Sequence, residues 1–296
     1  MFYTKEMIFN EFKDVTAKDK VKKKEVFTNR IAYLKAANHS LELELSDEVK
    51  GKLERIDNLH KMWNSSKPHV GLQWDKLQSY MRIKYSYESN RIEGNTLTMS
   101  ETHLVVEEGV TIGGKTMREH LEVINHAHAI DFMKSLVSDK MLLDRHVLLQ
   151  LHQLILSGID SKHAGVFRSV PVYISGSERK PPEPYLLEKL MEDYFLFYEA
   201  NKDTLHPVIL ATEMKERLVT IHPFLDGNGR LSRLILNFIL LSHGYTTLIL
   251  KGDTSSKLRY FDVLQKMQVE GDHIPLYDLI IDRVIDSLEE HISMIG

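Results

Sequence analysis

The chain contains no cysteine, which excludes disulfides, thiol nucleophiles and cysteine-ligated zinc. It also lacks a long apolar run. The longest, Leu234 to Leu241, is far too short to span a bilayer, and the opening MFYTKEMIFNEFKD has no signal-peptide core. A soluble cytoplasmic protein without membrane partners is the expectation. Fifteen histidines occur, yet no His-Glu-x-x-His pair does, and His120, His126 and His128 form no one-face ligand set. No Gly-x-Ser-x-Gly nucleophile elbow is present. The formal net charge of −4 argues against bulk electrostatic binding to nucleic acid, and the basic run Lys18 to Val26 is interrupted by acids, as on a solvated helix face. Neither a fixed-period repeat nor a low-complexity tract appears.

What is present is ordinary globular composition: 296 residues, 43% hydrophobic and 27% charged. Residues 1–71 are polar, lysine-rich and weakly helical, a helical N-terminal extension that closes on a linker, NSSKPHVG (Asn64 to Gly71). Over residues 72–296 the apolar spacing predicts helices at Leu72–Glu93, Met117–Leu136, Asp144–Ser157, Pro184–Ala200, Pro207–Ile221, Arg230–His243, Ser255–Val269 and Pro275–Met294. Thr98 with Glu101 forms a capping box, and Pro207 suits a first helical turn. The segment Gly165 to Pro184 breaks the pattern, because Val170, Val172 and Ile174 alternate before a polar turn and prolines. The expected architecture is all-α with one small β-hairpin.

The chemistry concentrates in TIHPFLDGNGRLSRLILNFILL, from Thr220 to Leu241. Asp-Gly and Asn-Gly signal hairpins when strands flank them. Here Leu231, Leu234, Ile235, Phe238 and Leu241 repeat with helical period instead, so the loop opens a buried helix. The backbone N–H groups there are unpaired and partly positive. Gly227 and Gly229 remove the Cβ atoms that would keep an anion away, and Asn228 suits left-handed angles or a cap. Arg230 and Arg233 share a face of the first turn, where they oppose the helix dipole unless a multiply charged anion reverses the sign. The loop reads as a polyphosphate cradle, although caps and surface ion pairs account for any one of these residues taken alone. A rival stands at GVTIGGKT, Gly109 to Thr116, which matches the phosphate loop of P-loop NTPases. Its preceding run, Val105 to Glu108, is short and acidic, and the chain supplies few strands for a parallel sheet. At the other loop, Pro223 should restrain His222 toward extended backbone angles.

The stretch HPFLDGNGRLSR (His222 to Arg233) resembles the signature of Fic-domain proteins, and further similarity runs from about Leu72 to the C-terminus. YESNRIEGNTLT is similar to the family's inhibitory helix, with Ser89, Glu93 and Gly94 at the matching places. HAGVFRSVPVYISG is similar to its target-docking flap, with Val172, Tyr173, Ile174 and Ser175 along the edge. KLRYFDVLQ resembles the segment whose aromatics, Tyr260 and Phe261, border the nucleotide; Gln268 stands where relatives often carry Asn. The resemblance implies a Fic-type helical fold that moves AMP from ATP to a Ser, Thr or Tyr hydroxyl of a target protein or of the chain itself, with Mg²⁺. It implies His222 as base, Asp226 as metal ligand, and Gly227, Asn228, Gly229, Arg230 and Arg233 around the phosphates. It further implies inhibition by Glu93 pairing with Arg233, and a homodimer is common among similar proteins. AMP removal, another phosphate transfer, and a non-catalytic nucleotide-sensing module remain as alternatives.

Overall fold

A computed structural model describes residue 34 and residues 45–66, 71–174 and 179–295. Among the described residues the regular elements are helices: α1 (Asp47–Ser66), α2 (Leu72–Ile92), α3 (Met99–Glu108), α4 (Met117–Ser138), α5 (Arg145–Ile155), α6 (Leu187–Asn201), α7 (Pro207–Ile221), α8 (Asn228–Ser242), α9 (Thr254–Gln265) and α10 (Ile274–Ile295). A 3₁₀ turn, Pro184–Leu186, leads into α6, and a π turn, Lys266–Glu270, follows α9. No helix among these residues is long and apolar enough to cross a membrane.

The helix starts follow local chemistry. Thr98 and Thr116 each form a reciprocal capping box, with Glu101 and Glu119, and Pro207 occupies the first turn of α7. The centre of the core is the α7–α8 hairpin, with α4 and α5 packed on α8 and α6 on α7. Leu231, Leu234, Ile235 and Phe238 are fully buried, which is why the apolar spacing of α8 was so regular. α1 buries Val49, Leu53, Ile56 and Trp63 in the same core and lies along α10, where Lys52 pairs with Asp278 and Asp282. A small satellite cluster, Leu97, Val105 and Val123, holds α3 against α4.

In these helices and their connections the structure departs from expectation at the linker and at the hairpin, and it removes the rival reading of Gly109 to Thr116. The expected linker at Asn64 to Gly71 begins inside α1, which runs to Ser66, and residues 67–70 lie outside the described residues. Gly109 to Thr116 follows a helix, α3, rather than a strand. Gly109 caps α3 in the left-handed region at φ 67°, Thr116 caps α4, and Lys115 donates to the Thr96 carbonyl at 2.5 Å. This segment is a helix–helix corner, and the P-loop NTPase reading falls with it, since a P-loop must leave a buried parallel strand. Among the described residues of 165–184 no strand forms; Val172, Tyr173 and Ile174 are irregular, and Ser175 lies with residues 176–178 outside the described residues.

Candidate active site

α7 ends at His222, whose N–H closes on Leu218 O at 2.9 Å with φ 52° and ψ 58°. The extended geometry expected from Pro223 is therefore wrong, for the residue adopts the left-handed helical cap instead. A non-glycine residue in that region is strained, and the surroundings hold it there. Arg168 donates from Nε to His222 O at 2.8 Å and from its own N–H to Pro223 O at 2.9 Å. Its remaining nitrogens bind Val170 O at 3.0 Å and Pro182 O at 2.6 Å. Arg179 binds the carbonyls of Thr220 and Val219 from the far end of the flap segment. Both ends of that segment are thus tied to the end of α7.

The His222 ring faces Val219 O through Nδ1 at 3.3 Å. A carbonyl only accepts, so Nδ1 carries the proton and Nε2 keeps its lone pair. Burial, reinforced by Arg179 and Arg168, pushes the imidazole down to about 4. It is neutral at physiological pH.

The turn after His222 is closed by Asn228, whose side chain accepts from Phe224 N–H at 3.1 Å and donates to Phe224 O at 2.9 Å. The Phe224 ring is fully buried and stacks on His152 at 3.6 Å. His152 accepts the Gly165 N–H at Nδ1 (2.9 Å), so its Nε2–H donates to Asp226 O at 3.0 Å. Gly227 has φ 79°, and a Cβ there would press on the His152 ring at 3.3 Å. One buried, neutral histidine from α5 therefore shapes the loop.

The anion lying against this loop is the chain's own Glu93. A side chain at Gly229 would collide with the Glu93 carboxylate and come within 3.3 Å of Arg233. Glu93 caps the C-terminus of α2 and accepts from Arg233 Nη2 at 2.7 Å. Arg233 is buried and also donates to Ser89 Oγ at 2.9 Å and Ser89 O at 2.8 Å. Burial pushes the Glu93 carboxyl up, but Arg233 and Arg230 outweigh it and hold it below the usual range.

Arg230 is buried too, bonding Asp226 Oδ1 at 3.3 Å, while its Nε and Nη1 make no hydrogen bond and Nη1 lies 3.7 Å from the Glu122 carboxylate. Buried donors left unmade are costly. They are suited to a phosphate oxygen. Asp226 accepts the Gly227 N–H at 2.6 Å, and Arg118 binds its Oδ2. Burial raises the Asp226 carboxyl, but Arg230, the Gly227 N–H and Arg118 pull it below its usual value. No group of three or more His, Asp or Glu able to hold a metal occurs among the described residues. A single half-exposed, ionised carboxylate beside a phosphate loop fits magnesium, which takes one or two carboxylates together with phosphate oxygens.

Tyr260 is buried with Lys215 4.6 Å from its ring centre, and Phe261 beside it is exposed. Gln268 donates to Thr220 Oγ1 at 2.9 Å, bracing α7 two residues before His222. The structure thus brings His222, Asp226, Gly227, Asn228, Gly229, Arg230, Arg233, Ser89 and Glu93 together at one helix corner. Tyr260 packs against Lys215 of α7 and acts electrostatically on Arg233, and Tyr173 stands exposed on the flap segment. Sequence reasoning missed His152, Arg168, Arg179 and Arg118, and no local pattern marks any of them.

A neutral histidine, a carboxylate and two arginines stand around glycine-lined helix amides on an all-helical scaffold. Residues 142–240 match the Fic/DOC family model, and the chain belongs to that family. A protein adenylyltransferase Fic from Drosophila grimshawi is 33% identical over 215 residues, which cover 72% of this chain and 43% of that relative. This chain therefore spans less than half the length of that relative. A fragment of Fic-1 from C. elegans superposes with a TM-score of 0.73 at 26% identity, covering 83% of this chain and 71% of that one. A Fic domain-containing signaling protein from Bacteroides thetaiotaomicron gives 0.74 at 27%, covering 82% and 97%.

Proposed function

We propose that the chain is a protein adenylyltransferase that moves AMP from ATP to a Ser, Thr or Tyr hydroxyl of a target protein, and that Glu93 holds it inactive. The observation that carries this reading is a neutral His222 with Nε2 free, set beside a loop whose buried Arg230 has two nitrogens that make no hydrogen bond. The target hydroxyl gives its proton to His222 Nε2, and its oxygen attacks the α-phosphorus. The bond from that phosphorus to the bridging oxygen breaks, and pyrophosphate leaves. The amides of Gly227 to Gly229 hold the α- and β-phosphates, while Arg230 and Arg233 offset charge on the outer phosphates. Asp226, together with phosphate oxygens, would hold magnesium, which would supply charge neutralisation. Tyr260 and Phe261 border the base. The flap, Val172 to Ser175, aligns the target by strand pairing, its ends anchored through Arg168 and Arg179.

Phosphate binding should raise the basicity of His222 above that of the free protein, since anions nearby favour the protonated imidazole. Inhibition follows from Arg233, which cannot hold Glu93 and a γ-phosphate together. The likeness to proteins named adenylyltransferases supports the reaction class. A second reading rests on Glu93 itself: an ionised, partly exposed carboxylate against the loop can orient a water toward protein-bound AMP and release it. The test is transfer from α-labelled ATP to protein by wild type and His222→Ala. Label in the first and none in the second supports the reading; equal label overturns it.

A further inference from the structure

Among the described residues, three donors reach the Asp226 carboxylate. Two belong to the loop and its helix, the Gly227 N–H and Arg230, and both bind Oδ1. The third, Arg118, comes from the first turn of α4 and covers the outward oxygen, Oδ2. The start of α4 does not itself call for a cation there. The helix start is already satisfied by the Thr116–Glu119 capping box, and a positive charge in a first turn opposes the dipole. Glu122, one turn on, accepts from Arg118 Nε at 3.1 Å and holds the side chain toward the loop. Arg118 remains 56% exposed in its side chain and Asp226 42%, so the guanidinium can leave into solvent without opening the core.

We propose that Arg118 stands at Asp226 Oδ2 in place of a divalent cation and sets the cation affinity of the site. This inference rests on Asp226 being the metal ligand in the function proposed above. A guanidinium and a divalent cation repel each other, so the two cannot share one carboxylate oxygen at close range. Cation loading therefore exchanges Arg118 for the ion, with Glu122 retaining the displaced side chain. The exchange is separate from the Glu93–Arg233 pair, because Arg118 contacts neither of those residues.

The test uses the full chain as wild type, Arg118→Ala and Asp226→Asn, with Mn²⁺ binding followed by electron paramagnetic resonance in saturating α,β-methylene ATP. An exposed ion pair holds its partner weakly, so Arg118→Ala should bind Mn²⁺ about fivefold more tightly than wild type. Asp226→Asn should lose the ion. Unchanged or weaker Mn²⁺ binding by Arg118→Ala, with the ion still lost in Asp226→Asn, overturns the exchange and leaves the ligand assignment standing. Undiminished binding by Asp226→Asn overturns the ligand assignment, and the exchange with it. Calorimetry of the nucleotide alone in chelator should give equal affinity for wild type and Arg118→Ala. A loss there would make Arg118 a phosphate contact and refute the exchange.

Discussion

Replacing Glu93 with glycine removes one carboxylate and leaves the rest of the site in place. Arg233 loses its 2.7 Å bond to Glu93 but keeps both bonds to Ser89, so the guanidinium stays beside the loop with one N–H of Nη2 released. The face of Gly229 is cleared at the same time. A hydrogen bond to a charged group is worth roughly 1.5–3 kcal/mol net. The lower part of that range applies, because the Glu93 side chain is 37% exposed. At 1.4 kcal/mol per factor of ten, AMP transfer should rise about ten- to thirtyfold. The fold should survive. Glu93 sits at a helix C-terminus, where its charge is disfavoured, and glycine there costs roughly 0.5–1 kcal/mol in chain entropy. The assay is protein labelling from α-labelled ATP, wild type beside Glu93→Gly and Glu93→Gln at equal concentration, with thermal melts as the folding check. Glu93→Gln should fall between the two, since it keeps the shape and loses the charge. Equal or lower labelling by a folded Glu93→Gly would refute autoinhibition.

His222→Ala should lower transfer by about 10²–10⁴ while leaving ATP binding largely intact, which single-turnover labelling and calorimetry would separate. His222 and His152 are both pushed down to about 4, so they stay neutral in the folded chain while the unfolded chain takes up protons near the ordinary value of 6.5. Their contribution to stability is complete above that value and is lost as pH falls from 6.5 toward 4; melts across this window should show His152→Phe less pH-sensitive than wild type. The same variant removes the acceptor for Gly165 and the donor to Asp226, and calorimetry should show weaker nucleotide binding as the loop loosens. Lys115→Ala should leave nucleotide affinity unchanged, because Lys115 holds Thr96, whereas Arg230→Ala should weaken it through loss of buried charged donors. The opposite order in a calorimetric titration would contradict the assignment of the phosphate site.

The glycine-rich loop opening a buried helix was legible in the sequence because its logic is local. Gly227, Gly229, Arg230 and Arg233 lie within the first two turns, and the apolar period of α8 placed those turns at a buried helix start. Most helices were equally legible, and α7 runs from Pro207 to Ile221 as its spacing predicts. α3 was missed although its capping box was read, since ten residues with only Thr102 and Val105 buried make a weak apolar period. The pairing of Glu93 with Arg233 was suggested by family likeness and by the dipole argument, not by spacing. His152, Arg168 and Arg118 could not be read at all. Each acts on a residue brought near by the packing of α4, α5 and the flap segment on the α7–α8 corner, and nothing beside them in the chain records that partner. The error over His222 has a different cause: the preference of a residue before proline is a bias of a few kcal/mol at most, and the helix cap with the Arg168 clamp overrides it.

The central claim is attack at the α-phosphorus, and paired labelling tests it most directly. Glu93→Gly is incubated with candidate target protein and ATP labelled at either the α- or the γ-phosphate, and label retained on denatured protein is counted. Label from the α-phosphate alone, lost in His222→Ala, is the expected result. Label from the γ-phosphate alone would make the chain a kinase, and protein free of label from both would leave a nucleotide-binding module; either result contradicts AMP transfer.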